Sequence, residues 1–271
     1  MKNLIRFIFI FFVFYNFCFG SPVAKKGVID LSGWDIDKEE RIDLYGDWQF
    51  YWKQFIKPEN VVDGVLPSNP LSIKMPGEWS SAVKDPSNPN KKFELGYGTY
   101  ILKVKGLKVK SKLAFFIRYF ATAYSFYILQ GDKIIPVVKA GGVGKSRETS
   151  IPTTTQRLTE VNLQNGDFTI LVHTSNYHYR SGGFFGSFTM GKEPVLREEF
   201  SKNNFRAFFL LGVILIMSLY HFGLFSLRRE DITQLFALYE LRIYVGTLLP
   251  HLKNLLIVLK DEKDNFDYTL R

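Results

Sequence analysis

The sequence predicts an all-β jelly-roll sandwich followed by one or two transmembrane α-helices. Three observations carry that expectation. From Val28 to about Gly191, apolar and polar residues alternate in short runs, the period of strands with one buried face. Turn chemistry separates those runs, and roughly eight of them fit into this stretch, a strand density that suits a sandwich better than α/β units. Beyond it, Ala207 to Leu227 is apolar without a formal charge, which is the composition of a membrane helix.

Composition narrows the possibilities before any element is placed. Of 271 residues, 46% are hydrophobic, 23% are charged, and 26 Phe and 14 Tyr are present. That aromatic bulk excludes a disordered chain and must be buried in a core or in lipid. The single cysteine, Cys18, lies in an apolar run, so neither an intramolecular disulfide nor a cysteine metal cage is available. A net charge of +9 suits an anionic partner. Yet no run of four basic residues occurs, and Lys103 to Lys112 alternates basic with apolar residues as a strand pair would. No nucleic-acid partner is predicted.

Taken in order, residues 1–20 read as a signal peptide. Lys2 and Arg6 precede the apolar run Phe7 to Phe19, and Cys18 and Gly20 stand at the −3 and −1 positions of a cut after Gly20. Residues 21–191 then form an extracytoplasmic sandwich domain. Strands are predicted at Arg41–Trp52, Leu71–Met75, Leu113–Arg118, Tyr124–Leu129, Ile134–Val138, Leu158–Leu163, Phe168–His173 and Phe184–Met190, and around Tyr100 to Lys105. Trp48, Phe50 and Trp52 alternate with Gln49 and Tyr51 and read as core residues of one strand. Gln130 to Lys133 and Asn165 to Asp167 read as hairpin turns. Pro67 to Lys92 holds Pro67, Pro70, Pro76, Pro86 and Pro89 and reads as a long loop region interrupted by one strand.

Residues 192–206 read as a juxtamembrane helix, and 207–227 as the first transmembrane helix, about 30 Å long at about 1.5 Å per residue. Arg228 and Arg229 follow in the turn 228–231 and place its end in the cytoplasm by the positive-inside rule. Residues 232–249 are apolar again but carry Glu240 and Arg242. This second span makes sense as one helix of a larger bundle, where ionisable residues face other helices. His221 is expected to hydrogen-bond a neighbouring helix. The tail 250–271 is polar and charged.

Chemistry-bearing motifs are few. Gly144-Lys145-Ser146 ends like a phosphate loop, but Lys139 stands where the first glycine belongs and no helix follows. His173 and His178 lack a carboxylate placed to complete a metal site, and no two carboxylates stand out for glycoside hydrolysis. No metal, cofactor or enzymatic activity is predicted. The densest polar and aromatic cluster is Ser175 to Phe185. With Arg147 nearby in the loop pattern, the candidate ligand-binding residues are Arg147, Asn176, Tyr177, His178 and Arg180, whose types suit stacking on a sugar and bonding to hydroxyl or carboxylate groups. The alternative is that these side chains brace the loop while Gly182-Gly183 supply unusual dihedrals.

Five phrases occur in a fixed order ahead of the apolar helix: Leu44-Tyr45-Gly46-Asp47-Trp48-Gln49-Phe50-Tyr51-Trp52, Met75-Pro76-Gly77-Glu78-Trp79, Gly96-Tyr97-Gly98-Thr99-Tyr100, Gly144-Lys145-Ser146-Arg147-Glu148 with Pro152, and Ser175-Asn176-Tyr177-His178 through Gly182-Gly183. In these phrases the chain resembles the bacterial seven-transmembrane receptors with diverse intracellular signalling modules, in the subgroup whose outer domain is a galactose-binding-like jelly roll. The resemblance covers roughly 28–245. It implies an outer ligand-sensing domain, seven membrane helices and a cytoplasmic output module.

The expected function is therefore the membrane-anchored, ligand-sensing front portion of such a receptor, truncated after the first one or two helices, with the output module absent from this chain. Its expected partners are a small-molecule or carbohydrate ligand, the lipid bilayer and a second copy as homodimer. It would sit in the inner membrane with 21–206 on the periplasmic side. The alternative is a stand-alone envelope carbohydrate-binding module without a signalling role.

Overall fold

The computed structural model describes residues 21–85, 87–88, 93–109, 112–118, 120–153, 155–228, 234–249 and 252. The expected signal peptide at 1–20, residues 229–231 of the expected turn, and the expected tail apart from Leu252 lie outside the described residues.

The described chain is an all-β sandwich joined to one long apolar helix. In order come β1 (Val28–Asp30), α1 (Ile36–Glu39), β2 (Arg41–Asp43), β3 (Gly46–Trp52), α2 (Pro58–Val62), β4 (Leu71–Met75), β5 (Gly77–Glu78) and β6 (Gly96–Leu107). There follow β7 (Leu113–Ile117), β8 (Phe120–Ala121), β9 (Ala123–Gln130), β10 (Lys133–Ala140), β11 (Arg157–Val161), β12 (Gly166–Asn176), β13 (Gly183–Phe184), β14 (Phe188–Lys192) and α3 (Glu193–Arg228). A further helix occupies 234–249.

The larger sheet runs β10-β9-β12-β6-β3-β4, with β1 parallel beside β6. The facing sheet runs β11-β7-β14-β2, and β5-β13-β8 form a small third sheet. Alternation decides which side chains meet between the sheets. Trp48, Phe50, Leu102, Phe126 and Ile170 face inward from the larger sheet, against Leu113, Phe115, Phe188 and Met190. Aromatic rings stitch the two layers: Phe126 lies 5.2 Å from both Phe115 and Phe188, and Trp48 lies 5.7 Å from Phe188. Part of the phenylalanine excess in the composition is thus core. On its outer face the larger sheet is covered around Ile101 and Leu171 by Ile56, Val61 and Val62, which the segment carrying α2 brings across.

Two predicted strands are each divided. Arg41–Trp52 breaks into β2, paired with β14 in one sheet, and β3, paired with β4 and β6 in the other. The corner is Gly46, at φ +116°, where a Cβ would stand 2.2 Å from the Ala24 carbonyl; no side chain fits there. Phe184–Met190 likewise divides into β13 and β14. The predicted turn at Gln130–Lys133 closes the β9/β10 hairpin. The predicted hairpin at Asn165–Asp167 is instead a crossing between sheets, since β11 pairs with β7 and β12 with β6 and β9. Its turn residues explain why: Asn165 Oδ1 accepts from Val109 N–H and Asp167 Oδ1 from Gly106 N–H. They tie the turn to the β6–β7 connection rather than to a hairpin partner.

β14 passes into α3 with no intervening loop. The helix continues unbroken through residue 206, where the sequence reading separates a juxtamembrane piece from a membrane piece. Its first turns dock on the outer face of the second sheet, where Leu196 and Phe200 pack with Ala114 and Phe116. Among the described residues, one helix is long and apolar enough to cross a membrane, Glu193–Leu227. Phe205, Phe209, Leu210, Ile216 and Leu219 along it are exposed.

Candidate functional site

β12 is the central strand of the larger sheet, and the candidate cluster begins at its end. Asn176 is fully buried there. Its amide nitrogen donates to the Tyr179 carbonyl at 2.8 Å and the Glu94 carbonyl at 3.1 Å, and its oxygen accepts from the backbone N–H of Tyr179 at 2.9 Å and of His178 at 3.3 Å. The side chain thereby folds residues 176–179 into a tight turn and leaves no group turned outward.

Two loops are sewn together beside that turn. Gly142 and Ile151 exchange backbone hydrogen bonds of 3.0 and 2.8 Å, which closes 142–151 into a loop. Ser175 Oγ accepts from Gly144 N–H at 3.1 Å and meets Ser150 Oγ at 2.9 Å. The Tyr177 hydroxyl donates to the Lys145 carbonyl, and His178 Nε2 lies 2.9 Å from the Ser150 carbonyl. Because that partner is a carbonyl, His178 Nε2 carries the proton. Burial, with the neighbouring Tyr97 and Glu148, pushes the Tyr177 phenol above its ordinary range and keeps it a donor.

The glycines serve close approach. A Cβ on Gly182 would stand 1.9 Å from the Trp79 ring, and one on Gly183, at φ +143°, 2.4 Å from the Gly77 carbonyl. Trp79 N–H donates to the Gly182 carbonyl at 3.1 Å, and its indole N–H to the Phe93 carbonyl at 2.8 Å. The loop is seated on tryptophan and then enters the small sheet.

Of the predicted site residues, Asn176, Tyr177 and His178 thus spend their polar groups on the protein's own backbone. Arg147 and Arg180 differ: both are exposed, and neither makes a hydrogen bond or ion pair among the described residues. Arg147 lies on the 142–151 loop beside Glu148. The Ser146 hydroxyl, then Glu148's own backbone, then the Arg147 charge hold that carboxyl below its ordinary range. Tyr179, next to Arg180 in the chain, is 54% exposed, and Phe185 is 41% exposed. Their rings meet edge to face at 6.3 Å. Sequence reasoning picked out the stretch holding these two aromatics but did not select them. The available signal was their position on either side of Arg180.

Among the described residues, no group of three or more His, Cys, Asp or Glu is placed to hold a metal ion. His173 points to the outer face of the larger sheet, with Nε2 2.7 Å from the Ile56 carbonyl and the Phe55 ring at 5.3 Å. Burial lowers its pKa.

The helix is fastened to the sandwich by charge as well as packing. Glu199 pairs with both Arg41 and Arg118, and Arg197 bridges Glu193 and Glu160, the latter at 2.8 Å. Farther along, His221 Nδ1 lies 3.0 Å from Glu240 Oε2 and Ser218 Oγ donates to the Ala237 carbonyl at 3.1 Å, so 234–249 lies against α3.

No protein-family model matches the sequence, and no curated protein matches it. Solved structures do. A glycoside hydrolase family 2 β-galacturonidase from Eisenbergiella tayi bound to galacturonate is 13% identical, over 56% of this chain and 24% of its own, with a TM-score of 0.36. A β-glucuronidase from Ruminococcus gnavus in complex with D-glucuronic acid is 12% identical, over 56% of this chain and 29% of its own, with a TM-score of 0.37. A β-glucuronidase from an uncultured Clostridium is 10% identical, over 55% of this chain and 28% of its own, with a TM-score of 0.38. This chain spans less than a third of the length of each. At such identities and scores the likeness supplies no residue, substrate or activity here. It does correct one expectation: the similar solved chains are enzymes, so the reading of this chain as a non-enzyme is withdrawn. The receptor resemblance rests on the sequence phrases alone.

Proposed function

We propose that the chain is the membrane-anchored, ligand-sensing portion of a bacterial signal-transduction receptor. In this reading the sandwich is a galactose-binding-like jelly roll over 21–191 on the periplasmic side. α3 crosses the inner membrane over 207–227, and 234–249 begins a second crossing. The ligand is a small carbohydrate-like or carboxylate-bearing molecule taken at the loop rim. Arg147 and Arg180 supply unpaired donors and Tyr179 and Phe185 supply apolar faces, while Asn176, Tyr177 and His178 hold the loops in place.

The observation that carries this reading is the junction between sandwich and helix. β14 runs directly into α3, whose first turns are fastened by Glu199 to Arg41 and Arg118 and by Phe200 to Phe116. A helix clamped at two points on a rigid sheet moves with that sheet, so a shift of the sandwich on binding is delivered to the apolar segment without a flexible link.

Hydrogen exchange on the full chain in nanodiscs, across a library of sugars and organic acids, tests the reading. A ligand should protect 175–183 and also alter exchange in 193–206. Protection confined to the loops favours the second reading, a stand-alone envelope carbohydrate-binding module, to which the exposed Tyr179–Phe185 pair is equally suited. No response from any sandwich loop would remove the ligand-sensing reading.

A further inference from the structure

At the loop end of the sandwich, the inner face of the larger sheet carries three hydroxyls without partners among the described residues. Tyr100 on β6, Tyr124 on β9 and Thr174 on β12 are 0%, 1% and 0% exposed, and no hydrogen bond from a described residue reaches their hydroxyl oxygens. The register places them side by side. Thr174 stands opposite Tyr124, and Tyr100 stands opposite Val172, the preceding inward residue of β12. The Tyr100 and Tyr124 rings flank Phe120, at 6.0 and 4.8 Å between centroids.

Arg157 enters the same region from the facing sheet. It pairs with Ile117, a core residue, so its side chain points between the sheets. Its Nε is buried without a partner, and among the described residues its guanidinium makes no hydrogen bond or ion pair. The cation also reaches Tyr124, whose phenol burial pushes far above its ordinary range and whose rise the Arg157 charge opposes. Both buried phenols stay protonated, and so can donate.

Buried polar atoms are ordinarily bonded. Four exceptions in one place, three hydroxyls and the Nε of the half-buried Arg157, have a common explanation in a polar, anionic ligand. We propose that this interior end of the sandwich, between β6, β9 and β12 on one side and β11 on the other, binds a small hydroxy-carboxylate. The Arg157 guanidinium takes the carboxylate, and the hydroxyls of Tyr100, Tyr124 and Thr174 take the hydroxyl groups. The fork of a guanidinium fits a carboxylate in two parallel bonds, and hydroxyls both donate to and accept from a polyol. β10 and β11 are the outermost strands of their sheets, so Arg157 on β11 stands at the sandwich edge. The site uses neither Arg147 nor Arg180 and is separate from the rim.

Calorimetric titration of the full chain in nanodiscs tests the site with D-gluconate and D-glucuronate, each against its neutral counterpart, sorbitol and D-glucose. At least one acid should bind saturably, with its neutral counterpart about tenfold weaker or more. Arg157→Gln should erase that preference. Tyr124→Phe should weaken the acid by about three- to tenfold without lowering Tm, because it removes a hydroxyl that has no partner among the described residues. Failure of both acids to bind, or unchanged affinity in Arg157→Gln, overturns the site. If Arg157→Gln does not fold, Tyr124→Phe decides alone, and unweakened binding there is equally fatal. Loss of binding in Arg147→Ala/Arg180→Ala with retention in Arg157→Gln moves the acid to the rim and also overturns the interior site.

Discussion

Asn176 shows how one side chain sets the geometry of a whole loop. It is buried, and its amide bonds four backbone groups between Glu94 and Tyr179. Asn176→Ala leaves those groups unbonded and should cost about 2–4 kcal/mol in urea denaturation. His173 makes a contrasting, pH-dependent contribution. Burial depresses its folded-state pKa below the ordinary 6.5, while the bond to the Ile56 carbonyl partly offsets this. The unfolded chain therefore binds the proton more readily, and stability present above pH 6.5 is lost as pH falls toward the depressed value. Melting temperature should drop between about pH 7 and pH 5, and His173→Gln, which keeps a donor toward Ile56, should flatten that slope.

At the scale of elements, the informative features are the corner at Gly46 and the seat of α3. Gly46 turns the chain from one sheet into the other at φ +116°, with the Ala24 carbonyl occupying the space of a side chain. Gly46→Ala should destabilise by about 2 kcal/mol or more by thermal or chemical denaturation, because both the backbone and the contact must give. The α3 seat combines apolar and ionic contacts of unequal weight. Phe200 is buried edge-on to Phe116 at 5.6 Å, so Phe200→Ala should cost about 3 kcal/mol. Glu199 pairs with two partly exposed arginines, and Glu199→Gln should cost only about 1 kcal/mol. A reversed ranking in urea melts would mean that charge, not packing, fixes the helix.

For the whole molecule, the unbroken path from β14 to the apolar helix makes coupling a question of helical phase. Two residues inserted after Lys202 turn the distal helix by about 200°, whereas seven turn it by about 700°, near two full turns. The two-residue insertion should leave ligand protection at 175–183 intact and abolish any ligand-dependent change beyond 207. The seven-residue insertion should largely preserve that change. Identical behaviour of the two would show that no rotation-sensitive signal passes along α3.

Strand-period alternation and turn residues made the sandwich legible from sequence, because burial of one strand face is written directly in every second residue. Trp48 and Phe50 proved to be core for that reason, and the apolar run from Ala207 announced its helix by composition. Local sequence could not place Asn165–Asp167, which reads as a hairpin turn yet bonds the β6–β7 connection, since the choice between a hairpin and a crossing depends on distant partners. The candidate site divided on the same ground. Residue type nominated Arg147, Asn176, Tyr177, His178 and Arg180 alike, but only folding shows which polar groups are already satisfied. Asn176, Tyr177 and His178 meet backbone carbonyls, and Arg147 and Arg180 do not. Arg157 and the three inward hydroxyls were invisible in sequence, because an unpaired buried group is defined by the neighbours it lacks. Period and composition are properties of the chain itself, whereas pairing and satisfaction are properties of the space into which it folds.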